Sequence, residues 1–253
     1  MRAFVSIVRV TIRQVVGGRR WIVLGLLALL PPVVMWFSTF DFTASAAIDR
    51  YHDAPLAMLL LLVVPIVTLV VGSGALGDER RDGTLSFLLV RPIRRSTIAS
   101  AKLVAAWLAA AVIAGAGGLL ASLVVAMRAG TWITLGPTLL AVAVGTAAYT
   151  AVFMVLGHLT SRAVLIGLVY VFVWEVGISL FAPAVVNVSL SRIGLSAYLG
   201  LIPASTPGYT PLTEALGSLA PGSGGALAKA MGISLVCVLF AALLLKRRDA
   251  TGE

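Results

Sequence analysis

Six stretches of about 20 predominantly apolar residues decide what this chain can fold into, because about 20 residues at 1.5 Å rise cross the ~30 Å hydrocarbon core of a bilayer. They run approximately over 21–40, 56–77, 103–126, 138–158, 163–184 and 226–245. No water exists at that depth to satisfy exposed backbone groups, so each spanning segment must be a helix or part of a closed barrel. None of the six shows the strict alternation of a barrel strand. The expected fold is therefore an all-α integral membrane protein with six transmembrane helices. Composition agrees. Hydrophobic residues are 60% of the 253 and charged ones 11%, against about 25% charged in an ordinary soluble domain.

The breaks between spans carry the charge. With both termini on the inner side, the inner segments hold fifteen Lys or Arg and the outer ones four, Arg50, Arg128, Arg192 and Lys229. Such asymmetry sets orientation and predicts cytoplasmic termini in a cell membrane. The inner side then carries +10, the outer side 0, and Glu175 within a span the remaining −1. The formal net charge of +9 is thereby accounted for without a nucleic-acid partner. The single cysteine, Cys237, allows no internal disulfide, and two histidines make a Cys/His zinc site a poor expectation.

Residues 1–20 read differently. Arg2, Ser6, Arg9, Arg13 and Arg20 fall near one helical face, with Phe4, Ile7, Val8, Ile12 and Val15 mostly opposite. That is the pattern of an amphipathic helix lying on the inner membrane surface among anionic lipids. It serves either as an anchor or as a lever into the first span. The small-residue tail TASAA at 43–47 resembles a signal-cleavage site, but the apolar run before it exceeds the ~7–15 residues of a signal core, so a permanent helix is expected. The expected organisation is an interfacial helix over 1–20, a six-helix domain over 21–245 and a cytoplasmic tail over 246–253. Within the domain lie a cytoplasmic loop at 78–102 and a long outer loop at 185–225. The outer loop is expected to be either short re-entrant helices or a partly ordered surface segment. Pro31, Pro32 and Pro65 fall within spans and should bend them. Ala106, Ala110, Ala114 and Gly118 recur every four residues in the third span, a stripe that admits close approach of another helix.

The most informative segment is GDERRDGTLSFLLVRPIRRSTIASAKL, residues 77–103. Acids and bases crowd its start, Gly83 permits a turn, and an apolar patch around Phe87 and Leu88 follows before Pro92. Apolar anchors rimmed by charge suit a protein–protein interface. A short interfacial helix with snorkelling arginines is the alternative. Elsewhere, Glu175 next to Trp174 sits inside the fifth span, where a carboxylate is costly. It either lines a translocation pathway or accepts a helix–helix hydrogen bond. No phosphate-cradling G-x-x-x-x-G-K-[ST] occurs; GSGGALAKA at 222–230 lacks its second glycine and its hydroxyl. His158 and Ser161, or Gly177 with Ser179, are the only hints of a hydrolase, and neither makes a nucleophile elbow.

The pattern E-x-x-x-G-T-L-x-x-L-L-x-x-P-x-x-R, with K seven residues later, covers Glu79, Gly83, Thr84, Leu85, Leu88, Leu89, Pro92, Arg95 and Lys102. It resembles the ABC type-2 transporter permeases, particularly the short bacterial ones of the nitrous-oxide-reductase maturation and bacitracin-resistance kinds. The resemblance implies a permease subunit of an exporter that is not itself an enzyme and binds no cofactor. It implies a second copy or a related permease, and separate ATPase subunits that hold ATP and Mg. It further implies that the loop after the second span seats in a groove of the ATPase. There Glu79, Arg80 and Arg81 would make charged contacts, Gly83 and Thr84 the turn, and Leu85, Phe87 and Leu88 the packing face. A membrane anchor that transmits ATPase strokes to an outer machine, and an intramembrane hydrolase, are the competing readings.

Overall fold

The computed structural model describes residues 2–16, 20–39, 44–81, 94–178, 189–216 and 222–251. Helices α1 (Arg2–Val16), α2 (Arg20–Ala28), α3 (Leu30–Ser38), α4 (Ala44–Asp53) and α5 (Pro55–Met58) come first. A π-helical stretch at Leu59–Val63 leads into α6 (Val64–Arg81). Then follow α7 (Arg95–Ala129), α8 (Leu135–Leu159) and α9 (Ala163–Val169), which continues as a second π-helical stretch, Tyr170–Ile178. Two short helices, α10 (Ser191–Leu199) and α11 (Tyr209–Leu216), precede α12 (Ser223–Thr251). No strand occurs among the described residues, so the all-α class stands.

Five helical segments are long and apolar enough to cross a bilayer: Arg20–Ser38, Ala46–Arg81, Arg95–Ala129, Leu135–Leu159 and Ser223–Lys246. The sixth apolar helix, Ala163–Gly177, is shorter. The difference from the apolar run 163–184 lies in residues 179–184, outside the described part of the chain. The second and third segments, at 36 and 35 residues, would extend ~50 Å at 1.5 Å per residue. They project beyond the hydrocarbon and carry the charged stems of the loop between them.

Proline and close packing shape the bundle. The first span breaks at Leu29, where Pro31 and Pro32 have no N–H to give to the preceding turn. The break turns the Ala28 carbonyl toward α7, and a Cβ on Gly117 would lie 2.2 Å from that oxygen. In the second span the π-helical turn sits immediately before Pro65, the usual companion of a missing i→i−4 bond. Thr68 donates back to the carbonyls of Val64 and Pro65 at 2.7 and 3.0 Å. The small residues Ala106, Ala110, Ala114 and Gly118 are all buried within the chain. A Cβ on Gly118 would meet Thr138 at 2.8 Å, so this part of the stripe is consumed by α8.

The core is built around α6 and α8, the most extensive helix pair, with α7 against both. The first span and α12 are peripheral: 28% and 11% of their apolar windows are buried, against 50–61% for the other three long segments. Helix α1 packs on α7. Its Ser6, Arg9 and Arg13 are exposed, while Phe4, Ile7, Val8 and Ile12 are partly covered.

Gly117→Val should force the first span from α7 and cost about 1–3 kcal/mol. We expect an earlier loss of the monodisperse peak when heated detergent-solubilised protein is followed by size exclusion. Gly115→Ala, which meets nothing within 4 Å, should leave that transition in place.

Candidate functional site

Two buried polar clusters occupy the two ends of the bundle, and each is assembled from residues distant in sequence. The first lies at the stem of the charged loop. Glu79 sits near the end of α6 and Lys102 two turns into α7. Lys102 is 1% exposed, and its Nζ donates to Glu79 Oε1 at 2.6 Å and to the Ala75 carbonyl at 2.8 Å. An ammonium cannot stay charged in such a place without partners. Here a carboxylate and the last turns of α6 supply them. One residue along, Arg80 Nη1 donates to the His158 carbonyl at 2.6 Å, tying α6 to the end of α8. Asp78 accepts from Arg20 Nη1 at 2.9 Å and also pairs with Arg81. Four helices, α2, α6, α7 and α8, are thus joined through three consecutive residues, 78–80.

Of the loop residues singled out by sequence, Glu79, Arg80 and Arg81 are placed, and they are joined to their own chain. Gly83, Thr84, Leu85, Phe87 and Leu88 lie outside the described residues. The Glu79–Lys102 contact unites the first and last residues of the sequence pattern. In the sequence Arg20 stood only on the basic face of residues 1–20, apart from Asp78, since an exposed ion pair between separate spans leaves no periodic trace.

The second cluster surrounds Glu175, which is 1% exposed. Its Oε1 accepts from the Tyr170 hydroxyl at 2.8 Å and from the Leu190 backbone N–H at 2.8 Å. Its Oε2 accepts from Ser189 and Ser191 hydroxyls at 2.6 and 2.8 Å. Tyr170 and Glu175 are five residues apart. At about 100° per residue an α-helix would separate them by about 140°; the wider π-helical turn brings them to one side. Four donors around one carboxyl group satisfy both of its oxygens inside an apolar bundle. The bonds also fasten the start of α10 to the fifth span. Nothing in the sequence pattern marks Ser189 or Ser191 as a partner of Glu175, since 14 and 16 residues separate them from it.

The outer loop contains real helices. Helix α10 packs on α8 and α12, and His52 holds it from the other side. The Pro207 carbonyl can only accept, so His52 Nδ1–H donates to it at 2.8 Å and the neutral ring's Nε2 accepts from the Tyr198 hydroxyl at 2.8 Å. Burial holds the Tyr198 phenol well above its usual pKa, which keeps that proton in place. Gly208 follows with φ +76°, and a Cβ there would lie 2.7 Å from His52 Nδ1. Beside this clamp, Tyr51 donates to Thr138 Oγ1 at 2.6 Å, and Thr138 donates onward to the Thr134 carbonyl at 2.7 Å.

A bundle of spanning helices with a charged loop stem at one end and a pinned re-entry of short helices at the other defines a multi-pass membrane protein of the transporter kind. A family model described as ABC-2 family transporter protein matches residues 19–193, a stretch that contains both clusters. The chain belongs to that family, as a permease subunit of an ABC transporter. No curated protein matches the chain.

Lys102→Met leaves the partly buried Glu79 without this cation, and breaking a buried pair costs up to about 3–5 kcal/mol. Thermal unfolding in detergent should show a large downward shift. The double variant Lys102→Met with Glu79→Gln should recover part of it, and additive losses would contradict the pairing. At the other cluster, Glu175→Ala strands several buried donors at about 1–3 kcal/mol each. It should destabilise the protein more than Glu175→Gln, which keeps one acceptor oxygen. Limited proteolysis of the outer segment 189–216 should separate the two variants.

Proposed function

We propose that this chain is the permease subunit of an ATP-driven exporter in the cell membrane, with both termini cytoplasmic. Two copies, or one copy and a related permease, would enclose a translocation path. Separate ATPase subunits would bind ATP and Mg and seat the loop around Phe87, with Gly83 and Thr84 forming its turn and Leu85 and Leu88 its packing face. The observation that carries this reading is the braced stem. Glu79–Lys102, Arg80–His158 and Asp78–Arg20 join the loop's base to four helices, so a displacement of the loop moves the bundle and not the loop alone. In this role Glu79 and Arg80 act as braces behind the interface. Arg81, with 46% of its side chain exposed, is the member of the trio best disposed to reach a partner. Exchange between inward- and outward-facing packings then follows from different contacts of the ATPase in its two nucleotide states.

One observation favours a second reading. Glu175 is engaged by four donors of its own chain and ties an outer helix to a span. That arrangement suits a strut carrying ATPase strokes to an outer assembly, as well as a gate.

Co-purification with an ABC ATPase, sought first in the neighbouring reading frames, tests the proposal. Phe87→Asp should reduce captured ATPase at least about tenfold, since an interface anchor is worth about 2 kcal/mol or more, while Phe172→Ala on the exposed lipid-facing surface should not. Undiminished capture by Phe87→Asp would overturn the docking assignment. Movement of solute by the reconstituted complex in proteoliposomes, reduced in Glu175→Gln, separates exporter from strut.

A further inference from the structure

Beside the braced stem, between α6 and the turn joining α8 to α9, lies a pocket of about 210 Å³. Its polar lining is Ser73, Arg80, Arg81, Thr160 and Ser161. Gly77 and Gly157 close its back, where the two helices touch through backbone: a Cβ on Gly157 would lie 2.1 Å from the Ser73 carbonyl. Ala163 and Val164 complete the wall, and Val164 is exposed toward the apolar side of the bundle.

The hydrogen-bonding inventory of this pocket is one-sided. Arg80 uses one N–H on the His158 carbonyl and Arg81 one on Asp78, while a guanidinium offers five. Thr160 accepts from the Arg162 backbone N–H at 3.2 Å and donates to no described residue. Ser73 and Ser161 make no hydrogen bond among the described residues. Among the described residues no carboxylate lines the pocket. Two guanidiniums, of which Arg81 spends one N–H on Asp78, and three hydroxyls leave more protons to give than the described lining can accept, which suits an anion with several acceptor oxygens. Arginine pairs match the oxygens of a phosphate in geometry as well as charge. The volume is several times the ~30 Å³ share of a water molecule, which leaves room for a phosphate and the first atoms it esterifies.

We infer that this pocket binds a phosphate group through Arg80, Arg81 and the hydroxyls of Thr160 and Ser161. A phospholipid headgroup and a soluble phosphate ester share that chemistry. Arg80 and Arg81 are the last charged residues of α6 before the loop, so an occupant bridges the loop stem to the α8–α9 turn. The assignment goes beyond the transport reading and does not depend on an ATPase being present.

The test uses the full-length protein in detergent and two probes, phosphatidylglycerol followed by native mass spectrometry and radiolabelled inorganic phosphate followed by equilibrium dialysis. Two double variants are compared with wild type, Arg80→Gln with Arg81→Gln and Thr160→Val with Ser161→Ala. Arg50→Gln, outside the pocket, is the control. Wild type and control should retain one phosphatidylglycerol per chain, and the double variants should bind it about tenfold more weakly; that result assigns the lipid. Saturable phosphate binding lost in the double variants, without a lipid difference, assigns a soluble ester to the same pocket. If the arginine variant fails to fold, the hydroxyl variant on the exposed turn decides alone. Equal binding of both probes by wild type and variants, or no binding of either by wild type, overturns the assignment.

Discussion

Hydrocarbon offers no hydrogen bonds, and most polar groups described inside this bundle are placed where the chain itself can answer them, the buried Thr150 hydroxyl being an exception. That constraint makes the spans helical, because only a helix satisfies its backbone within one segment. It also explains the threonines. Thr68, Thr138 and Thr146 each return their hydroxyl proton to a carbonyl one turn back, at 2.6–2.7 Å, so they thicken the polar content of the core without needing a partner from another helix. Trp107 solves the same problem across helices by donating its indole N–H to the Ala143 carbonyl at 2.9 Å.

The two ionisable side chains Lys102 and Glu175, each 1% exposed, obey this rule and thereby organise the ends of the bundle. Lys102 cannot be buried alone, so α6 must present Glu79 and its last carbonyls to α7. Glu175 cannot be buried alone, so the chain returns after the fifth span to bring Ser189, Leu190 and Ser191 to it. A buried pair of this kind contributes little net stability compared with an apolar substitute, but it strongly penalises any packing that separates its members. The consequence is an alignment of helices at the loop end and a pinned re-entry at the other. Both ends of a transport machine need such definition, since motion imposed at one must arrive at the other.

Much of the fold was legible in sequence because it depends on one-dimensional properties. Apolar length located the spans, and the opposed faces of residues 1–20 gave the amphipathic helix α1. What escaped were features with no periodic signature. The break at Leu29 followed from Pro31 and Pro32, but the seating of the Ala28 carbonyl against Gly117 did not. The segment 185–225 could be read as loop or as short helices; α10 came from packing against α8 and α12, and α11 packs on α10. Glu79 and Lys102 both stood in the recognised pattern, yet their contact is invisible in a string where 23 residues separate them.

The amino-acid sequence by itself determined the solvent in which this chain folds, the number of apolar runs, the side toward which its basic residues gather, and the membership of its charged loop in a family pattern. These are sums over local residues, and free energies of transfer into a bilayer are nearly sums of that kind. Only the tertiary structure decided who answers each buried polar group: Glu79 for Lys102, the serines and Tyr170 for Glu175, Pro207 and Tyr198 for His52. Hydrogen bonds require distances near 3 Å and fixed directions, and such distances are set by how helices cross, not by the order in which residues occur.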